Sequence, residues 1–126
     1  MHRILVIDDE PDVVWGLQKI LEARGYEVIT ALNGLEGLRK ASEENPDLIL
    51  LDVMMPRKNG FQVLQELKAD DETRNIPVIF LSVKGETSNL LEGKRLLATD
   101  YIVKPYKTEV LLKYVKKYLA LREIEK

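Results

Sequence analysis

Five short apolar runs, separated by stretches of helical periodicity, constrain this chain more than any other feature of it. The runs are "RILVI" (3–7), "YEVIT" (26–30), "LILL" (48–51), "PVIFL" (77–81) and "YIV" (101–103). Each is short and mostly β-branched or leucine-rich, with polar or turn residues nearby, which is how a buried strand reads. Between them the period lengthens. Val13, Val14, Leu17, Ile20 and Leu21 fall at helical spacing after Pro11, and Gly25 follows as a stop. Asn33 can cap a helix carrying Leu35, Leu38 and Ala41, which ends before Asn45-Pro46. Gly60 opens a helix with Phe61, Leu64 and Leu67 on its inner face, and Leu90, Leu91 and Leu97 mark a fourth. A last helix runs from about Thr108, with Leu111, Tyr114, Val115, Tyr118 and Leu119 as its stripe.

Strands that alternate with helices and are apolar throughout predict a parallel sheet covered on both faces. Right-handed crossovers leave few arrangements for five βα units. The expectation is an α/β, doubly wound, five-stranded parallel sheet in the flavodoxin-like order 2-1-3-4-5. The 126 residues, with a 45% apolar share, suit a single domain over 1–126 that buries roughly two-thirds of its unfolded surface. There is no Cys, so neither a disulfide nor a thiolate metal site is possible, which suits a reducing cytoplasm. No apolar run approaches the ~20 residues that span a bilayer, and "MHRILVIDDEP" turns acidic too early for a signal peptide. A net charge of −2 argues against direct nucleic-acid binding.

In such a sheet the site lies at the carboxyl ends of the strands. Strand one ends in Asp8 and Asp9, strand three in Asp52, strand four in Ser82 and strand five in Lys104, followed by Pro105. Three crowded carboxylates repel, and each resists ionising. A hard divalent cation relieves this, and oxygen ligands are what Mg²⁺ (or Mn²⁺) takes. A cation, an ammonium and a hydroxyl around one carboxylate suit a phosphoryl group. The central carboxylate, Asp52, can then be the nucleophile that forms an aspartyl phosphate. That explains why the dry run 48–51 ends on an acid.

The pieces "ILVIDDEP", "DLILLDVMMPRKNG", "PVIFLS" with "KGE", and "DYIVKPY" occur in order and cover nearly the whole chain. Together they resemble the receiver domain of two-component response regulators, the family that includes the chemotaxis regulator of bacterial motility. The resemblance implies that Asp52 takes a phosphoryl group from a histidine kinase or phosphotransfer protein. It implies that Asp9 is the main Mg²⁺ carboxylate with Asp8 beside it, and that Met54 offers the metal its backbone carbonyl. Lys104 would pair with the phosphoryl group across a cis bond to Pro105. Ser82 would be the switch hydroxyl and Tyr101 the aromatic switch. The family's signalling face is the fourth helix, fifth strand and last helix, read by a downstream protein or output domain. Such a domain is a monomer or a phosphorylation-dependent dimer. It catalyses its own phosphotransfer and dephosphorylation without being a conventional turnover enzyme.

Three positions depart from the family's pattern. Val83 stands where a small residue is common after the switch hydroxyl, and its β-branch restricts access to the phosphoryl group. Leu97 stands where the family often has Gly, the residue that ends a helix in the left-handed region. Lys84 lies two residues past Ser82, where side chains tune phosphoryl lifetime. The competing class is a pseudo-receiver, an interaction module that never phosphorylates, but such domains usually lack an acid or the lysine. A phosphohydrolase would want an acid/base at Met54, and a flavodoxin would want a Ser/Thr/Gly-rich loop where "DDEPD" stands. Trp15 reads as a helix-surface contact, His2 as incidental, and Lys113, Lys116 and Lys117 as a solvated face near a helix C-terminus. Little chain follows the last helix, which leaves no room for a helix-turn-helix output domain, so a stand-alone receiver or a fragment is expected.

Overall fold

The computed structural model describes residues 1–83 and 98–125. Five strands, β1 (Arg3–Ile7), β2 (Glu27–Ala31), β3 (Leu48–Asp52), β4 (Val78–Val83) and β5 (Asp100–Lys104), form one sheet. Its order is β2-β1-β3-β4-β5, and every pairing is parallel, as expected. Helices α1 (Pro11–Glu22), α2 (Gly34–Glu44) and α3 (Gly60–Ala69) and a last helix (Thr108–Glu125) connect and cover it. The helix expected around Leu90, Leu91 and Leu97 lies outside the described residues, as does Lys84. Among the described residues no helix is long and apolar enough to cross a membrane.

The period-2 alternation of a strand sends neighbouring side chains to opposite faces, and here both faces are dry. Leu5, Ile7, Ile49, Leu51 and Phe80 face one way, where Val63, Leu64 and Leu67 of α3 cover them. Ile4, Val6, Leu48, Leu50, Ile79 and Leu81 face the other, against Leu17 and Leu21 of α1 and Leu111 and Val115 of the last helix. That is why 4–7, 48–51 and 78–81 carry no polar residue.

The punctuation follows the sequence. Pro11 opens α1, where its missing N–H costs nothing, and Gly25 takes a φ of 88° after it. Asn33 caps α2 by accepting from the Glu36 N–H at 2.8 Å. Asn45 ends the same helix in the left-handed region, at a φ of 48°. Asn59 and Gln62 form a reciprocal capping box that starts α3.

The large apolar residues of α2 are not all buried: Leu35 is 72% exposed. The buried face of α2 is made of Gly34, Gly37 and Ala41 instead. A Cβ on Gly37 would lie 2.5 Å from Ile7 Cδ1, and one on Gly34 would lie 2.8 Å from Val63 Cγ2. The helix therefore sits close against β1 and α3 through small residues, a face that a search for large apolar side chains passes over. Strand limits also differ slightly: β2 starts at Glu27 rather than Tyr26, and β4 runs on through Val83.

Candidate functional site

The register decides which strand ends meet. Ile7 pairs with Leu51, so Asp8 and Asp9 emerge beside Asp52. Asp52 pairs with Leu81, which places Ser82 one step beyond it. Val83 pairs with Lys104 on the far side of β4. The sheet thus gathers Asp8, Asp9, Asp52, Ser82 and Lys104 on its carboxyl edge.

Asp8, Asp9 and Asp52 each offer a carboxylate oxygen, and these atoms lie within 4.8 Å of one another. Asp8 is fully buried and Asp52 is 6% exposed, while Asp9 is half-buried. Two contacts fix Asp8: its N–H donates to the Ala31 carbonyl at 3.1 Å, and its Oδ1 accepts from the Glu10 N–H at 3.0 Å. The second is an Asx turn, a local signal that "DDE" carries in its spacing. Lys104 Nζ donates to Asp52 Oδ1 at 3.2 Å and to Asp8 Oδ2 at 3.4 Å. The Lys104–Pro105 bond is cis.

One ammonium does not balance three carboxylates. Burial pushes the Asp52 carboxyl up to about 6; the Asp8 charge adds to that, Lys104 opposes it, and Asp9 contributes least. Burial works against the charge on Lys104 too. There the carboxylates of Asp52 and Asp8, both also hydrogen-bond acceptors, outweigh it and hold the ammonium above its ordinary value. The donor set is all oxygen, partly buried and short of positive charge, which is the chemistry a hard divalent cation fits.

Ser82 is 2% exposed, and its Oγ has no hydrogen-bond partner among the described residues. A buried hydroxyl without a partner costs free energy and calls for an explanation. The Tyr101 hydroxyl is also buried and without a partner among the described residues. Its ring stacks on Phe80, with centroids 5.8 Å apart, and Phe80 meets Phe61 edge-on at 5.2 Å. Tyr101 therefore belongs to the core on the α3 face rather than to the carboxylate cluster. Met54 stands in the loop two residues past Asp52, with its side chain 61% exposed, so that side chain neither fills the core nor closes the site.

Two further residues shape the site and were not singled out from the sequence for doing so. A Cβ on Gly60 would lie 2.4 Å from the Asp52 carbonyl oxygen and 2.9 Å from Val53 Cα. Only Gly lets the start of α3 close against the strand end, where its N–H donates to the Val53 carbonyl at 2.9 Å. Its place after the capping Asn59 hid this, since a helix start alone explains the residue. Tyr106 is half-buried and close enough to Lys104 and Asp8 to feel both charges. Burial pushes its hydroxyl's pKa up; Lys104 lowers it and Asp8 raises it. The signal was its position directly after Lys104-Pro105.

A family model for the response regulator receiver domain matches residues 4–116. The chain belongs to this family. It is 42% identical over 120 residues to protein PilH of Pseudomonas aeruginosa, covering 95% of this chain and 99% of that protein. It is 42% identical over 122 residues to the alkaline phosphatase synthesis transcriptional regulatory protein PhoP of Bacillus subtilis. That match covers 97% of this chain but only 50% of PhoP, so the chain spans about half the length of such regulators. Among solved structures, a response regulator receiver domain protein from Clostridium thermocellum superposes with a TM-score of 0.92 at 30% identity, and all of both chains is covered. The protein is thus a receiver domain of two-component signalling, and phosphorylation on Asp is the general mechanism of its family. Receiver domains bind Mg²⁺ at an acidic pocket, and this chain carries a cluster of Asp8, Asp9 and Asp52 that could hold such an ion.

Proposed function

We propose that Asp52 is the phosphoacceptor, taking a phosphoryl group from the phosphohistidine of a histidine kinase or phosphotransfer protein. The observation that carries this reading is the position of Asp52. It is the one carboxylate bonded to Lys104 that also ends the central strand beside Asp8, Asp9 and Ser82. In the transfer an Asp52 carboxylate oxygen attacks phosphorus, the histidine N–P bond breaks, and the imidazole leaves with the bonding pair. Asp9, Asp8, Asp52 and the Met54 backbone carbonyl would hold Mg²⁺ or Mn²⁺, which supplies charge neutralisation for the phosphoryl oxygens. Lys104 pairs with a second oxygen, and the Ser82 hydroxyl donates to a third.

Forming the last of these bonds draws Ser82 toward the phosphoryl group, and Tyr101 responds by repacking against Phe80. Phosphorylation then biases a two-state equilibrium, and β5 with the last helix presents the result to a downstream protein or output domain. Turning a 1:99 population into 99:1 takes roughly 5.5 kcal/mol of preference for one state. Three charge-assisted contacts at a half-buried site are of the right strength for that. A cytoplasmic location, and a single domain that is a monomer or dimerises on phosphorylation, go with this reading.

The test is intact mass after incubation with acetyl phosphate, with and without Mg²⁺, on wild type and Asp52→Asn. One added phosphoryl group, Mg²⁺-dependent and absent from the variant, is the expected result. An adduct that persists in Asp52→Asn would move the acceptor elsewhere. No adduct in wild type, with beryllofluoride also failing to bind, would leave a module that never phosphorylates.

A further inference from the structure

The outer face of α1 carries a stripe that no packing among the described residues explains. Asp12, Trp15, Gly16 and Lys19 are spaced i, i+3, i+4, i+7, so they lie along one side of the helix, and all four are exposed. Trp15 is the only Trp in the chain and is 58% exposed. Its indole meets no other aromatic ring among the described residues and belongs to neither half of the core. Gly16 sits in mid-helix, where Gly costs stability relative to Ala. A Cβ there would meet nothing beyond its own helix backbone within 4 Å, so no contact inside the chain calls for the glycine. Asp12 and Lys19 make no ion pair or side-chain hydrogen bond among the described residues. Glu22, on the flank of the stripe, does have a partner: it accepts from Gln18 Nε2 at 3.3 Å.

We propose that this face of α1 pairs with α1 of a second copy of the chain, antiparallel across a two-fold axis. The stripe is complementary to itself. Asp12 and Lys19 are equally far from the midpoint between Trp15 and Gly16. A two-fold axis at that midpoint sets each Asp12 opposite the second copy's Lys19, and each Trp15 over the second copy's Gly16. The bare glycine lets the helices approach and gives the indole a flat surface to cover. Antiparallel packing also sets the positive end of each helix beside the negative end of the other. A helix of another sequence could answer the Trp and the Gly. It would not require an acid and a base at equal distances from them, and that self-match selects a second copy. At 12 residues α1 is about 18 Å long. One such helix pair falls short of the ~1,200 Å² of a standard interface, so the dimer is weak, with a Kd on the order of 100 µM. The association needs no phosphoryl group and stands apart from the reading of Asp52.

The test is sedimentation equilibrium of the full chain from 10 µM to about 1 mM at low salt, with the single indole N–H resonance followed by NMR over the same range. A rising dimer fraction and a concentration-dependent shift of that resonance are expected. Asp12→Lys and Lys19→Asp should each weaken association at least tenfold, because each sets like charges opposite one another at both ends of the pair. An equimolar mixture of the two variants should associate as wild type does, since unlike charges then face each other again. A wild type that stays monomeric at about 1 mM with an unmoved indole signal would overturn the proposal and leave the stripe to a helix of a different protein. Dimers unaffected by either charge reversal, or variants that do not recover on mixing, would overturn it as well. Both reversals oppose the helix dipole, so far-UV circular dichroism checks their folding. If either fails to fold, Gly16→Leu carries the test. Its side chain enters open space in the monomer but blocks the approach of the second helix, so association should again fall at least tenfold, and an unchanged dimer would sink the pairing.

Discussion

At the carboxyl edge of the sheet three carboxylates face one lysine, whereas at the amino edge most charges come with a partner. Arg3 Nε lies 3.1 Å from Glu27 Oε2, and its Nη1 donates to the Glu44 carbonyl at 2.6 Å. The Tyr118 hydroxyl donates to Asp100, which also accepts from the Tyr101 N–H at 2.7 Å. The amino edge is largely partnered structure, while the carboxyl edge stores repulsion among buried acids. Stored repulsion is what a cation and then a phosphoryl group can act on, because each changes the local balance by several kcal/mol. The comparison predicts opposite signs. Removing charge from the carboxyl edge should stabilise the fold, and removing a partner from the amino edge should weaken it.

The largest effect is expected at Asp52. Its carboxyl sits at about 6, above the ordinary 3.8, so the native protein holds that proton more tightly than the unfolded chain does. Stability from this group therefore falls as pH rises from about 3.8 to about 6, and the full cost is present above that range. The shift corresponds to about 3 kcal/mol. Asp52→Asn, which mimics the neutral acid, should raise stability by up to that amount at pH 7.5 without divalent cations. The gain should vanish near pH 4. Urea denaturation of both proteins at the two pH values measures it; an Asp52→Asn variant no more stable than wild type at pH 7.5 would break the comparison. Saturating Mg²⁺ should supply much of the same relief to wild type, about 2.7 kcal/mol at a hundredfold excess over its Kd, and less to the variant.

The carboxyl-edge side of this contrast was legible in the sequence, and the rest was hidden for definite reasons. Strand order followed from five apolar runs and the handedness of crossovers, and the acids at the ends of those runs named the carboxyl edge. A period rule rewards large apolar residues such as Leu35, while α2 packs through Gly34 and Gly37 against Ile7 and Val63. Gly60 was read as a helix start, since nothing in a linear sequence shows that the Asp52 carbonyl would lie 2.4 Å from its missing Cβ. The amino-edge pairs leave no local signal in the sequence. Arg3 and Glu27 are 24 residues apart and meet through the parallel register of β1 and β2, while Tyr118 and Asp100 are 18 apart and meet where the last helix returns past the start of β5. Tyr101 was legible as an aromatic in a short strand, but its stacking on Phe80 depends on the register of β4 and β5.

A smaller effect of opposite sign is expected from Tyr118→Phe. The Tyr118 hydroxyl is pushed up to about 12, by burial first and then by its bond to the Asp100 carboxylate. Its stabilising contribution is fully present below pH 10 and is lost as pH rises toward 12. Loss of a hydrogen bond to a charged group costs about 1.5 kcal/mol. The variant should therefore be less stable than wild type by about that much at pH 7.5, measured by the same denaturation, and the difference should close in strong alkali. A neutral or stabilising outcome would mean that the Tyr101 N–H alone suffices for Asp100.

The smallest effect separates the two edges by their response to salt. Arg3 is over a third exposed, and an exposed pair of this kind contributes under about 1 kcal/mol. Arg3→Met keeps most of the side chain's apolar length and removes its charge, so a small loss of stability is expected at low ionic strength. At 1 M salt the Debye length falls to about 3 Å, and most of that loss should disappear. The gain from Asp52→Asn should survive the same salt. It arises chiefly from burial of a carboxyl that ions in solution do not reach. Parallel salt series on the two variants decide the matter. If both differences shrink together, the repulsion at the carboxyl edge is as solvent-screened as the pairs at the amino edge, and the distinction between stored and compensated charge fails.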